Sequence, residues 1–282
     1  MNQQQLITSM IPSIITDTLT SYGLSIPQQV LVGSLAFHLI LYLFVMKILC
    51  LTLINPSFYK TLSKRDQNEY ESRIISSLHS FAMAFGGMAI LFNDHVFLYD
   101  WNIMHRSLAT ECLFYFSTGY MLIDLLFVLY YYPQIGGIEM VIHHVFISSG
   151  QMYLVESQIG EVLGVWVTQT EHTTIFINMR WFLDKAGMKE SAIYIFNGLM
   201  MWLVWFLVRI GYAVFNVVFF VRKWDEWMKL VEERGNYGVF HLVFFIIQCL
   251  NLGYLNIMWF TKLTRGVIKA LFSKDETKKK TA

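Results

Sequence analysis

Long apolar runs divided by short polar punctuation make up most of this 282-residue chain. A helix that crosses a bilayer needs about 20 mostly apolar residues. Seven stretches read that way: 30–54, 74–92, 112–132, 140–155, 162–179, 193–220 and 237–259. Asn55-Pro56 closes the first, Pro133-Gln134-Ile135-Gly136-Gly137 parts the third from the fourth, and Gly235-Asn236 precedes the last. Such pairs favour turns over continuing helix. The fourth and fifth stretches are the shortest or the most polar. No repeat or low-complexity linker interrupts the series. The pattern therefore predicts an all-α integral membrane protein of seven transmembrane helices. Residues 1–28 form an N-terminal tail, 29–65 the first transmembrane helix and its basic loop, 66–270 the main body and 271–282 a basic C-terminal tail. Apolar residues between Leu6 and Leu24 recur at mixed spacing, as in a short interfacial helix.

Composition agrees with this class. The chain is 55% hydrophobic and only 15% charged, against roughly 25% charged in a soluble domain. The aromatic residues read as lipid-facing surface and interfacial belts. A net charge of +1 and the lack of an aromatic-basic patch give no reason to expect a nucleic-acid partner. Cys50, Cys112 and Cys249 lie scattered in apolar segments, without metal-type spacing, and read as packing residues. There is no G-x-S-x-G elbow, Walker-type glycine loop or HExxH pair, so no metal is expected. The N-terminus has neither the basic region of a secretory signal nor the arginines of a mitochondrial presequence.

Lysines and arginines set the orientation, because they accumulate in cytoplasmic loops. With a cytosolic C-terminus, the inside carries Lys60, Lys64, Arg65, Arg73, Arg180, Lys185, Lys189 and seven basic residues of the tail, fourteen in all. The opposite face carries five: Arg106, Arg222, Lys223, Lys229 and Arg234. The final Lys279-Lys280-Thr281-Ala282 matches a di-lysine endoplasmic-reticulum retrieval pattern, which needs that same orientation. A mitochondrial membrane is the alternative location.

Several polar side chains sit where hydrocarbon should exclude them, and intramembrane ionisable groups mark functional sites by default. His143 and His144 are adjacent in M-V-I-H-H-V-F-I and point about 100° apart on a helix. One can therefore face a pocket while the other bonds a neighbouring helix. Imidazole titrates near neutrality and can act as base or nucleophile when an acid orients it. Asp124 could be that acid, or simply bond a neighbouring hydroxyl. At about 1.5 Å per residue, His143 lies roughly 9 Å and Asp124 roughly 13 Å from the cytosolic face. His79 and Glu171 fall in the same slab. The segment T-Q-T-E-H-T-T-I-F-I-N-M-R-W, with Glu171, His172 and Asn178, is too polar to face lipid and is expected to line a cavity. Arg180 reads as an interfacial anchor or a phosphate contact. Arg209, deeper in the membrane, either neutralises a buried acid or holds a lipid headgroup.

In combination and order, R-I-I-S-S-L-H-S, S-T-G-Y-M-L-I-D, I-H-H-V-F-I, F-I-N-M-R-W-F-L, F-N-G-L-M-M with Arg209, and L-N-I-M-W-F resemble the TLC-domain family of multi-pass membrane proteins. The resemblance runs over residues 73–270 and is greatest to the small members of the fourth subtype. They lack the homeobox-like domain of many ceramide synthases. It implies a six-helix bundle, here spans two to seven, around a central polar pocket, with one helix preceding it. Ceramide synthases in the family transfer a fatty acyl group from acyl-CoA to a sphingoid amine using the His pair. By similarity His143 or His144 would attack the thioester or deprotonate the amine, with Asp124 beside them. His79, Glu171, Asn178, Arg180 and Arg209 would contact the lipid. In the family's H-D-x-x-D run, Glu171 stands at the first aspartate and Thr174 at the second. One carboxylate is kept in kind and one is lost.

Two functional readings follow. In the first, an intramembrane pocket binds a membrane lipid or fatty acyl chain and influences membrane lipid composition. His-dependent acyl transfer would use acyl-CoA as co-substrate, without another cofactor. In the second, the chain is a non-catalytic structural subunit among membrane-protein partners, and the same polar groups form a buried hydrogen-bond network.

Overall fold

The computed structural model describes the backbone of residues 23–280 and the side chains of residues 23–269. The interfacial helix expected near the N-terminus and the end of the di-lysine motif lie outside the described residues, apart from Gly23, Leu24 and the backbone of the two lysines. Among the described residues every regular element is helical. The chain divides into two units, Met1–Thr168 and Gln169–Ala282.

The first unit opens with helix α1, Ile26–Thr52. Its start is a capping box: the Ser25 side chain accepts from the Gln28 amide, the Gln28 side chain accepts from the Ser25 amide, and Pro27 lies in the first turn. These contacts satisfy amides that have no partner within the helix. Between Val30 and Thr52 the buried positions are Ser34, His38, Tyr42, Met46 and Cys50, one every four residues. A stride of four drifts about 40° per step around an α-helix of 3.6 residues per turn. The wider π turn at Leu41–Val45 takes up part of that drift.

Left-handed Asn55 turns the chain into short helix α2, Pro56–Thr61, whose Tyr59 is buried and donates to Glu71. Helix α3, Lys64–Asn93, begins ten residues before the apolar stretch predicted at 74. The Ser63 cap and the Glu69–Arg73 pair at 2.7 Å extend it through polar sequence. Helices α4, Leu108–Tyr130, and α5, Ile138–Ser157, follow. A turn with positive φ at Gln158 and Gly160 leads into α6, Glu161–Thr168.

Of the helices long and apolar enough to cross a membrane, α4 is the most buried, and it packs against α1, α3 and α5. Lipid tails are as apolar as leucine, so helices in a bilayer associate through close packing and hydrogen bonds. Gly119 supplies the close packing, because a Cβ there would stand 2.5 Å from Ser34 Oγ and 2.9 Å from the Leu35 amide. The Ser34 hydroxyl in turn donates to the Phe116 carbonyl at 2.6 Å.

The second unit starts with a 3-10 turn, Gln169–Glu171, and continues as α7, His172–Lys185, and α8, Ala192–Arg222. Helix α8 contains a π segment at Trp205–Ile210. Then come the surface-type amphipathic helix α9, Trp224–Arg234, and the long α10, Asn236–Lys280. Trp227 of α9 is fully buried and packs against Phe220 and Phe245.

Among the described residues, five helices are long and apolar enough to cross a membrane: α1, α3, α4, α8 and the Asn236–Lys269 part of α10. The other two expected spans take a different form. The stretch at 140–155 lies on the twenty-residue α5. The stretch at 162–179 is shared by α6, the 3-10 turn and α7. Side-chain chemistry accounts for this division. The hydroxyls of Thr168 and Thr173 bond back to the carbonyls of Val165 and Thr170 at 2.7 and 2.8 Å, and such back-bonding competes with a regular helical ladder.

Candidate functional site

Asp124 is the hub of the first unit. It lies two turns before the end of α4, buried, and its two oxygens have different partners. Oδ2 is 2.6 Å from His144 Nε2 on α5. Oδ1 accepts the hydroxyl proton of Tyr42 on α1 and a longer contact, 3.5 Å, from Ser72 on α3. One carboxylate therefore joins four helices. His144 is 3% exposed, and its second nitrogen, Nδ1, lies 2.8 Å from the Met140 carbonyl one turn back. A carbonyl only accepts, so Nδ1 carries a proton and donates it. A single further proton holds Nε2 to Asp124, whichever of the two atoms it is closer to. Both ring nitrogens are thereby engaged, and neither presents a free lone pair.

His143 is differently placed. It is half-buried, and its ring meets that of His144 edge-on with centroids 5.6 Å apart. Beyond Asp124, His79 of α3 bonds the Ser117 hydroxyl at 2.9 Å and stacks on Tyr120 at 3.9 Å. His38 of α1 meets the edge of the same Tyr120 ring at 5.4 Å, while its Nδ1 is held by the Ser34 carbonyl at 2.8 Å. His38 and His79 both lie within electrostatic range of Asp124.

Of the residues singled out from sequence, the structure brings together Asp124, His144 and His79, with His143 adjacent. Glu171, Asn178, Arg180 and Arg209 belong to the second unit. There Arg209 is buried, donates from Nε to Thr173 at 2.7 Å and from Nη1 to Asn256 at 3.0 Å, and lies over the Trp205 ring. Glu171 acts on it through its charge. Asn178 is buried in α7. Arg180 is pinned against α8: it lies 3.9 Å over the Tyr194 ring and reaches the Tyr194 carbonyl at 3.4 Å. Gly198 leaves room for it, since a Cβ there would come within 2.6 Å of Nη1. This clasp uses the cation–π attraction of a guanidinium; with the Asn197 bond to the Phe176 carbonyl at 2.9 Å, it fastens α7 to α8.

Sequence reasoning missed Tyr42, His38, Ser72 and Tyr120. A signal was available for two of them: in the first apolar stretch the polar residues Ser34, His38 and Tyr42 recur every fourth position. It also missed Glu161, a fully buried carboxylate at the start of α6. Glu161 accepts from Thr110 at 2.6 Å and the Ser107 amide at 3.1 Å, with Arg106 at 3.7 Å. It lies outside the spans, and burial raises its pKa to about 7. Among the described residues no three His, Cys, Asp or Glu side chains are grouped as a metal ion would require.

Known proteins match this chain over most of its length. A TLC-domain model matches residues 69–265, which include Ser72, His79, Asp124, the histidine pair, Glu171 and Arg209. TLC domain-containing protein 4-B of Xenopus laevis is 27% identical over 225 residues, 79% of this chain and 83% of that protein. Human TLC domain-containing protein 4 is 26% identical over 221 residues, 77% and 81% of the two chains. A Dictyostelium discoideum relative, TLC domain-containing protein 4 A, is 23% identical over 243 residues, 85% and 89%. With most of its length inside the matched domain and its helices long and apolar enough to cross a bilayer repeatedly, this multi-pass membrane protein belongs to the TLC-domain family.

Proposed function

We propose that the chain handles lipid within the membrane, binding a lipid or fatty acyl chain beside the histidine pair and so influencing membrane lipid composition. The observation that carries this reading is the unequal state of the two imidazoles. Asp124 and Met140 hold both nitrogens of the buried His144, and the half-buried His143 is the more exposed member of the pair and the one that meets a ligand. In an acyl-transfer cycle His143 attacks the thioester carbonyl of an acyl-CoA. The C–S bond breaks, CoA leaves as the thiol with the imidazole proton, and an acyl-imidazole remains. A lipid amine or hydroxyl then takes the acyl group and returns its proton to the ring. His144, held by Asp124, fixes the orientation of the pair. Glu171 keeps one carboxylate of the family's acidic run, while Thr174 replaces the other. The endoplasmic reticulum is the proposed location, from the C-terminal lysines.

One observation favours the second reading, a structural subunit: Asp124 is already satisfied by Tyr42, Ser72 and His144, as a purely stabilising network would be. Breaking a buried pair by removing one partner costs about 3–5 kcal/mol, so stability alone cannot separate the two readings. Acyl transfer by the purified protein separates them. Turnover lost in His143→Ala with the fold retained supports the enzyme. If the wild type turns over no acyl-CoA but still carries lipid, catalysis is excluded and lipid binding stands.

A further inference from the structure

The matched domain begins at residue 69, yet two of the groups around Asp124, Tyr42 and His38, lie on α1, outside it. The placement of Tyr42 follows from three features of that helix. Ser34 docks α1 against α4 at Gly119, where only a missing side chain permits the approach. The four-residue stride then aligns His38 and Tyr42 on the same side. Finally, the π turn at Leu41–Val45 contains Tyr42 itself; π turns inside α-helices are rare and recur at functional sites. The Tyr42 ring is stacked on Phe127 with centroids 4.1 Å apart, so it has little freedom to turn. Its hydroxyl is directed at Oδ1 of Asp124, with the Ser72 hydroxyl 3.4 Å away.

A carboxylate bound at one oxygen only can rotate about its Cβ–Cγ bond, a broad, roughly two-fold torsion. A carboxylate held at both oxygens cannot. We infer that Tyr42 is a positioning residue of this site: by holding Oδ1 it fixes Oδ2 on His144, and so fixes the ring against which His143 is set. The site is therefore assembled by a helix that precedes the matched domain. This inference rests on the same site as the proposed function but not on the identity of any lipid.

The test is nitrogen NMR of ring-labelled histidine in the full chain, with the His144 signal assigned by its loss in His144→Gln. Tyr42→Phe keeps the stacked ring and removes only the hydroxyl. The His144 signal is expected to move by more than its line width, while those of His95 and His172 stay in place. Thermal unfolding measured alongside reports the fold. If Asp124→Asn moves the His144 signal and Tyr42→Phe leaves it unchanged, Tyr42 does not position the pair and the inference is overturned. Should Tyr42→Phe not fold, a fluorotyrosine at position 42 keeps the ring and strengthens the donor. The same signal must then shift, and its constancy would equally defeat the inference. Loss of lipid or of acyl transfer plays no part in this readout, so the two proposals fail separately.

Discussion

Arg209 sits inside an apolar helix with two neutral hydrogen-bond partners, Thr173 and Asn256. Removing one partner leaves a buried donor unsatisfied, which costs about 1–3 kcal/mol. Thr173→Val and Asn256→Leu should therefore each lower the unfolding temperature in detergent. Glu161 makes a prediction about pH. Its folded pKa, about 7, lies above the ordinary glutamate value of 4.5, so between those values the folded chain binds more protons than the unfolded one. Stability contributed by the protonated carboxyl is full below about pH 4.5 and is lost as pH rises through 7. Unfolding measured across that window should show the decline, and Glu161→Gln should flatten it. Asp124, His79, His143 and His144 were legible because ionisable residues are conspicuous in an apolar stretch. Tyr42 was not, because a tyrosine there reads equally well as part of an interfacial belt. Its role depends on meeting a residue 82 positions away.

At the scale of helices, Gly119 controls how closely α1 approaches α4. A valine there must displace Ser34 and the backbone at Leu35, and overpacking of this kind costs about 1–3 kcal/mol. Gly119→Val should lower thermal stability by that amount and weaken the Tyr42–Asp124 contact, whereas Gly253→Ala, where a Cβ meets nothing within 4 Å, should be nearly neutral. Hydropathy located the five long apolar helices because each buries its backbone bonds within itself. It did not locate the start of α3 at Lys64, since that extension is fixed by the Ser63 cap and a charge pair. Nor did it show that 162–179 is divided, which depends on threonine hydroxyls competing for carbonyls. The π turns in α1 and α8 carry no compositional mark.

For the molecule as a whole, the basic loops predict a cytosolic C-terminus, and the twenty residues of α5 span about 30 Å, the thickness of the hydrocarbon core. If α5 crosses, single cysteines at Gln134 and Gln158 in an otherwise cysteine-free chain should react with impermeant reagents from opposite sides of sealed vesicles. The residue-134 cysteine should share the side of the C-terminal tail. Labelling from one side would remove α5 from the set of spans. The account as a whole depends on His143 being the imidazole that meets a lipid. Lipids bound to the purified protein, counted by mass spectrometry at matched amounts of folded wild type and His143→Ala, test this most directly. The account predicts that a lipid present in the wild type falls several-fold in the variant; an identical lipid complement in both would contradict it.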